Sequence, residues 1–276
     1  MNGNFLSEIV PLKRRRITDL RRDESLADAL QEHAVRIRKN AAPHRLREAL
    51  RAASPALKVV AEFKRASPSG GVIRRDLSPA DVARAYERGG ACAISVLTEE
   101  EYFDGSLDDL NRVRSVTHLP LLRKDFIVDP TQIYEAAIAG ADAVLLIVAA
   151  LDDVSLRDLR KTAEDELGLD ALVEVHTSDE LRRALNTGAK IIGVNNRNLE
   201  TLEVSLRTSE RLIAETPPDT VMISESGLRD GQQLRRLHAL GFRGFLIGES
   251  LMRAKDPETA LRDLILSTDE RQEGIS

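Results

Sequence analysis

VVAEFKRASPSGG, residues 59–71, is an apolar run with strand character that ends in an acid, a lysine and an arginine and then breaks into a loop of Ser67, Pro68, Ser69, Gly70 and Gly71. Side chains alternate across a strand with a period of two, so Glu62 and Lys64 share one face. A carboxylate and an ammonium held together at a strand end can tune each other's protonation and share one substrate. The same pair also reads as an ordinary ion pair followed by a turn, a contact usually worth little. The rest of the chain decides between the two.

From Val59 onward a unit repeats: a short apolar strand, a loop, and an amphipathic helix that often ends in glycine. Eight strands follow in this way: VVAEFK (59–64), ACAISVLT (91–98), PLLRKDF (120–126), ADAVLLIVA (141–149), DALVEVH (170–176), AKIIGVNN (189–196), TVMISES (220–226) and FRGFLIGE (242–249). Between them, SPADVARAYERGG, PTQIYEAAIAG and TSDELRRALNTG open with Ser78, Pro130 and Ser178 at cap or first-turn positions and close on Gly90, Gly140 and Gly188. Near-continuous apolar strands separated by helices call for a parallel sheet covered on both faces. Eight units in about 200 residues predict an α/β fold, a closed (β/α)8 TIM barrel, although periodicity leaves a doubly wound sheet open.

The expected organisation is an N-terminal helical extension over residues 1–56, a (β/α)8 barrel catalytic domain over 57–268 whose last helix lies near 257–266, and a loosely ordered polar tail over 269–276. In the extension, Ser25 is the expected cap of the helix LADALQEHAVRIRK, and a second helical stretch is expected near 44–53. The extension either covers an open end of the barrel or lies on its body.

Composition narrows the function. The lone cysteine, Cys92 in ACAISVL, is expected as a buried thiol and leaves no disulfide framework or cysteine zinc cluster within the chain. There is no signal-peptide apolar core and no stretch near the roughly 20 apolar residues that span a bilayer, so a soluble, cytoplasmic protein is expected. A net charge of −5 weighs against nucleic acid, and the basic run 13–16 reads as a solvated helix face diluted by Asp19, Asp23 and Glu24. The five histidines are scattered without ligand spacing, so no metal is expected.

In such barrels the active site gathers at the C-terminal strand ends. Those ends carry Glu62 and Lys64; Ser95 and Thr98; Arg123, Lys124 and Asp125; Glu174 and His176; Asn195, Asn196 and Arg197; Ser224, Glu225, Ser226 and Gly227; and Gly248 and Glu249. So many coincident polar termini are hard to read as accidental salt bridges. The turns SESG and IGES combine glycine, serine and backbone amides where barrels cradle phosphate beside a short following helix, and Arg197 can add a bidentate grip. His176 reads as a supporting or structural residue. A nucleophilic serine fits poorly, because there is no G-x-S-x-G elbow and no histidine placed to serve Ser67 or Ser226. A Schiff-base lysine at Lys64 or Lys124 stays open on barrel chemistry alone.

The stretches AEFKRASPSGG, PLLRKDFIVDPTQIYEAAIAGADAVLLI, LVEVH, IIGVNNRNLETL, ISESGL and GFLIGESLM resemble, in order and from about residue 5 to 256, the indole-3-glycerol phosphate synthase family. The resemblance implies a carboxy-lyase of tryptophan biosynthesis without cofactor or metal. Its substrate would be 1-(2-carboxyphenylamino)-1-deoxyribulose 5-phosphate, and its products indole-3-glycerol phosphate, carbon dioxide and water. It further implies Lys124 as the acid for ring closure, Lys64 as acid and Glu174 as base in later proton transfers, and Glu62 orienting Lys64. Lys64 is expected to lower the pKa of Lys124, with Glu62 and Glu174 opposing. Ser67, Asn195, Glu225 and Ser226 match positions that line the substrate site. Arg197 and the amides of Gly227, Gly248 and Glu249 would hold phosphate with Lys64 in reach, and Pro68, Phe103, Phe126 and Leu202 would form the aromatic slot. The chain departs from the family at Gly70, often lysine, at Ala137, often arginine, and at Glu249, serine in some members. The expected partner is a small-molecule phosphosugar, with no nucleic acid, no membrane and a monomeric chain.

Three rivals remain in view. A phosphosugar isomerase of the cysteine and aspartate type is disfavoured by Cys92 lying inside its strand. A Schiff-base aldolase would be exposed by borohydride trapping. A barrel that binds without turnover would have no need of Lys64, Lys124 and Glu174 together.

Overall fold

Eight parallel strands close on themselves: β1 (Val59–Phe63), β2 (Ala93–Leu97), β3 (Leu121–Lys124), β4 (Ala143–Ile147), β5 (Asp170–Val175), β6 (Ile191–Asn195), β7 (Val221–Glu225) and β8 (Gly244–Ile247). The computed structural model describes residues 5–21, 24–54, 56–68, 70–198 and 201–266. Strand β1 pairs with β2 through Val60 and Ala93 and with β8 through Val59 and Phe245, so the barrel has no edge and the doubly wound alternative falls.

The apolar runs split by parity into two layers. Val60, Ala93, Leu122, Leu145, Leu172, Ile191, Ile223 and Leu246 belong to the cluster inside the barrel, while Val59, Ala61, Ile94, Val96 and Val144 pack against the helices. The same parity carries Glu62, Lys124, Glu174, Asn195 and Glu225 onto the inward file above the last apolar layer. These five side chains therefore gather at one end of the lumen, the end at which the strands finish.

The outer ring is α4 (Pro79–Arg88), α5 (Leu107–Arg114), α6 (Pro130–Ile138), α7 (Asp153–Lys161), α8 (Ser178–Asn186), α9 (Arg207–Ile213), α10 (Gly231–Leu240) and α12 (Pro257–Leu266), with the short α11 (Glu249–Arg253) directly after β8. The Ser78 hydroxyl caps α4 by accepting the Asp81 amide at 3.1 Å, and Thr177 rather than Ser178 caps α8. Two local expectations change. The loop after β1 is a small hairpin, with Ala66–Ser67 antiparallel to Gly71–Val72, and Cys92 lies one residue ahead of β2, only partly buried.

Among the described residues three helices precede β1: α1 (Phe5–Arg21), α2 (Glu24–Arg38) and α3 (Arg45–Arg51), and Ser25 falls inside the first turn of α2. They run from one end of the barrel to the other. Leu6 and Ile9 of α1 join the apolar cluster that holds Phe126 and Ile147 above the strand ends, and α2 packs along α6. Helix α3 closes the opposite end. Its Arg47 amide donates to Asp170 at 2.9 Å, its Arg51 guanidinium reaches the Asp219 carbonyl, and a Cβ on Gly244 would stand 2.6 Å from Leu50. The extension both covers an end and lies on the body. The tail 269–276 lies outside the described residues.

The run 13–16 is not a uniform solvated face. Arg14, Arg15 and Arg16 are exposed, but Lys13 is only 5% exposed. The reason is helical phase: Ile9, Lys13 and Ile17 follow one another at intervals of four on the inward stripe of α1.

Leu46 of α3 is fully buried in the barrel's inner cluster. Leu46→Ala should remove about 2–5 kcal/mol of stability, as buried leucine truncations do, seen as a lower urea midpoint at unchanged slope. A loss below about 0.5 kcal/mol, the range of surface substitutions, would show that α3 does not seal the barrel.

Candidate active site

At the C-terminal strand ends the structure encloses a cavity of about 510 Å³. Its floor is a three-residue charge cluster. Lys124, the last residue of β3, donates from Nζ to Glu174 Oε2 on β5 at 3.1 Å and to the Glu225 carboxylate on β7. Both acids are almost wholly buried. Sequence reasoning placed Glu225 only as a wall of the site. Its signal was Gly193 of β6, a lone glycine in an apolar strand, where a Cβ would stand 2.0 Å from Glu225 Oε1.

Burial by itself would lower the Lys124 ammonium pKa, but Glu225, Glu174 and Glu62 outweigh it and hold the group above the ordinary lysine range. The expected depression by Lys64 is therefore not what governs this lysine. Burial pushes the Glu225 carboxyl up to about 7, with Lys124 pulling against it and Glu174 adding to the rise. For Glu174, burial works upward as well, yet Lys124 and His176 overcome it and keep the carboxyl below its ordinary value. Two acids sharing one ammonium are thus driven apart in proton affinity.

Beside this cluster Lys64 Nζ stands 2.8 Å from Glu62 Oε1 on the cavity wall. Asn195 donates to Glu174 Oε1 at 3.2 Å and accepts the Arg197 amide at 3.0 Å, tying the end of β6 to the cluster. His176 spans two acids, with Nε2 3.6 Å from Glu174 Oε1 and Nδ1 3.2 Å from Glu180 Oε2. Burial would lower its pKa, but Glu180 and Glu174 raise it on balance. It supports Glu174 from behind and does not line the cavity.

The upper walls differ in character. Phe103 and Phe126 line one side with ring centroids 6.4 Å apart, and Pro68 and Leu202 also border the cavity. Ser67 lines it too, although its Oγ accepts the Gly70 amide at 3.0 Å. Ser226 and Gly227 take successive left-handed conformations, φ 67° and 78°, turning the chain sharply as β7 ends at the cavity. Gly248 and Glu249 open α11 on the same wall, and the Glu249 carboxylate is engaged by Arg253 Nε at 3.0 Å. The Arg197 guanidinium borders the cavity while donating to the Leu202 carbonyl at 3.1 Å.

Other strand-end residues are spent on the scaffold. Thr98 donates to Asp125 at 2.7 Å and accepts from Arg123, while Asn196 donates to Ser224 Oγ and to the Glu225 carbonyl. Ser95 is buried and does not line this cavity. Sequence reasoning also passed over Arg229 and Arg253 at the cavity rim. For Arg253 the available signal was its i,i+4 spacing from Glu249. Among the described residues no group of three or more His, Cys, Asp or Glu side chains could hold a metal ion.

A family model described as indole-3-glycerol phosphate synthase matches residues 6–264. The indole-3-glycerol phosphate synthase of Polaromonas naphthalenivorans is 42% identical over 262 residues, covering 95% of this chain and 98% of the relative. That of Carboxydothermus hydrogenoformans is 44% identical over 270 residues, with 95% and 99% covered. Among solved structures, thiamine phosphate pyrophosphorylase from Pyrococcus furiosus superposes with a TM-score of 0.59 at 17% identity, over 79% of this chain and 95% of that one. KGPDC from Streptococcus mutans does so with a TM-score of 0.55, also at 17% identity, over 76% and 95%. At that identity the structural likeness carries the barrel alone.

Proposed function

The chain belongs to the indole-3-glycerol phosphate synthase family, and from that membership we propose how its own residues divide the reaction. It is a carbon–carbon lyase of tryptophan biosynthesis that converts 1-(2-carboxyphenylamino)-1-deoxyribulose 5-phosphate into indole-3-glycerol phosphate, carbon dioxide and water. The observation that carries the division of labour is a buried ammonium, Lys124, on the cavity floor between two carboxylates, one held below and one raised above the ordinary carboxyl pKa.

The aniline nitrogen makes the ring carbon that bears the carboxylate electron-rich, and that carbon attacks the ketone. Negative charge grows on the ketone oxygen, where Lys124, kept protonated by its carboxylates, delivers a proton. Loss of carbon dioxide returns the C–C bonding pair to the ring and restores aromaticity. Lys64, oriented by Glu62 at 2.8 Å, then protonates the departing hydroxyl, while Glu174 removes a proton from the neighbouring CH2. Water leaves and the indole is complete.

Binding energy at both ends of the substrate fixes the reacting carbons. Phosphate is assigned to Arg197 and the amides of Gly227, Gly248 and Glu249, with Lys64 in reach, and the aromatic ring to Pro68, Phe103, Phe126 and Leu202. Ser67, Asn195 and Ser226 complete the wall, and Glu225 faces the substrate from the floor. We also propose a monomeric cytoplasmic enzyme without a nucleic-acid partner, a reading supported by the single cysteine and the net charge of −5. Among the described residues no helix is long and apolar enough to cross a membrane.

The test is the purified protein with the carboxyphenylamino-deoxyribulose phosphate. Indole fluorescence should rise with one carbon dioxide released per indole, and borohydride should trap no adduct. Calorimetric binding without fluorescence would favour the non-catalytic barrel, and a trapped adduct would favour an imine mechanism.

A further inference from the structure

Lys13 is a buried cation on a helix outside the barrel, and its partners sit next to the proposed acid. Its Nζ lies 2.9 Å from Asp125 Oδ1, 3.6 Å from Glu100 Oε2 and 3.8 Å from Glu99 Oε1. Asp125 directly follows Lys124. The same carboxylate accepts the Phe126 amide at 2.8 Å, the Thr98 hydroxyl at 2.7 Å and Arg123 Nη2 at 3.1 Å, so it sets the course of the chain on leaving β3. Glu99 likewise accepts the amides of Glu101 at 3.0 Å and Tyr102 at 2.7 Å, at the root of the loop that carries Phe103. Lys13 thus joins α1 to the two loops that present Lys124, Phe126 and Phe103.

We propose that Lys13 is a positioning residue for ring closure, acting through Asp125 to hold Lys124 in register with the aromatic slot; this rests on the reading of Lys124 as the acid. Asp125 and Glu99 are buried to 2% and 0% exposure and depend on nearby cations. Without Lys13, Arg123 is left to answer Asp125 while it also pairs with Glu135 at 3.2 Å. A buried charge stripped of its partner is not tolerated in place; it takes up a proton or moves toward water. Protonation weakens the bonds that Asp125 accepts from Phe126, Thr98 and Arg123, and movement breaks them; both loosen the backbone at residue 125, and a displacement of about 1 Å at a reacting group can cost a hundredfold in rate.

The experiment compares wild type, Lys13→Met, Asp125→Asn, the double variant and Lys124→Met, with Arg14→Met as an exposed control on the same helix. Single-turnover indole formation, KM and urea unfolding are read for each. Lys13→Met should lower kcat tenfold or more with KM changed less than threefold, Arg14→Met should match wild type, and the double variant should be no slower than Asp125→Asn. A folded Lys13→Met with wild-type kcat overturns the proposal, as does a loss confined to KM. If Lys13→Met does not fold, the double variant against Asp125→Asn still decides, because neutralising both members of the closest pair leaves no unpaired charge at residue 125, and Glu99 keeps the backbone amides of Glu101 and Tyr102; a further tenfold loss in the double variant overturns the path through Asp125. Full activity in Lys124→Met would overturn the acid assignment itself, an outcome distinct from any result at Lys13.

Discussion

Lys124→Met is expected to lose turnover by at least about a hundredfold, the lower end of what a positioned general acid contributes, while binding substrate within a few-fold of wild type. Methionine keeps the length and the apolar stem but removes the proton and the charge. The variant should fold, because Glu225, already pushed up to about 7 by burial, can neutralise itself once its cation is gone. That response has a sign. A carboxyl whose folded pKa exceeds its unfolded value binds more protons when folded, so its contribution is fully present below about 4.5 and is lost as pH rises through the folded pKa. Lys124→Met should therefore be least stable on the alkaline side of neutrality. Single-turnover indole formation and calorimetric binding read the catalytic prediction, and urea midpoints at acid and alkaline pH read the structural one. Full turnover in the variant would transfer the acid role to Lys64.

Much of this site is written in the local sequence, because parallel strands buried on both faces have little reason to end in charge, although Arg123 and Asp125 show that some of those charges serve the scaffold. Strand parity goes further: with Leu122 inward, Lys124 must face the lumen and Arg123 the helices, and the same rule separates Asn195 from Asn196 and Glu225 from Ser224. What parity cannot supply is distance around the barrel. Lys124 and Glu225 are 101 residues apart and belong to strands that are not neighbours, so their contact depends on how far each side chain crosses the lumen. The glycine at 193 marks where that crossing passes, but only the fold shows which acid uses it. Lys13 illustrates a different failure. A run of four basic residues invites a composition argument, whereas the spacing of Ile9, Lys13 and Ile17 placed the lysine on the buried stripe. The path of the extension was illegible for a third reason: an amphipathic helix says that one face is covered, not by what.

Glu174 and Glu225 both bind Lys124, and their variants should separate the base from its neighbour. Glu174→Gln is expected to cost about 10²–10⁴ in turnover, by a factor that stays level across neutral pH, because Glu174 is held below its ordinary pKa and is ionised throughout. Glu225→Gln should behave otherwise. Glutamine imitates the protonated acid, which is the form that predominates in Glu225 below about 7. The variant should approach wild type at pH 6 and fall behind as pH rises through 7, where wild type acquires a second carboxylate against Lys124. A base must be free of its proton before the substrate arrives, and over the acid half of this range only Glu174 meets that condition. The two pH profiles of kcat, measured against wild type, therefore assign the dehydration base. A level deficit in Glu225→Gln together with near-normal turnover in Glu174→Gln would reverse the roles and leave Glu174 as the counter-ion that keeps Lys124 charged.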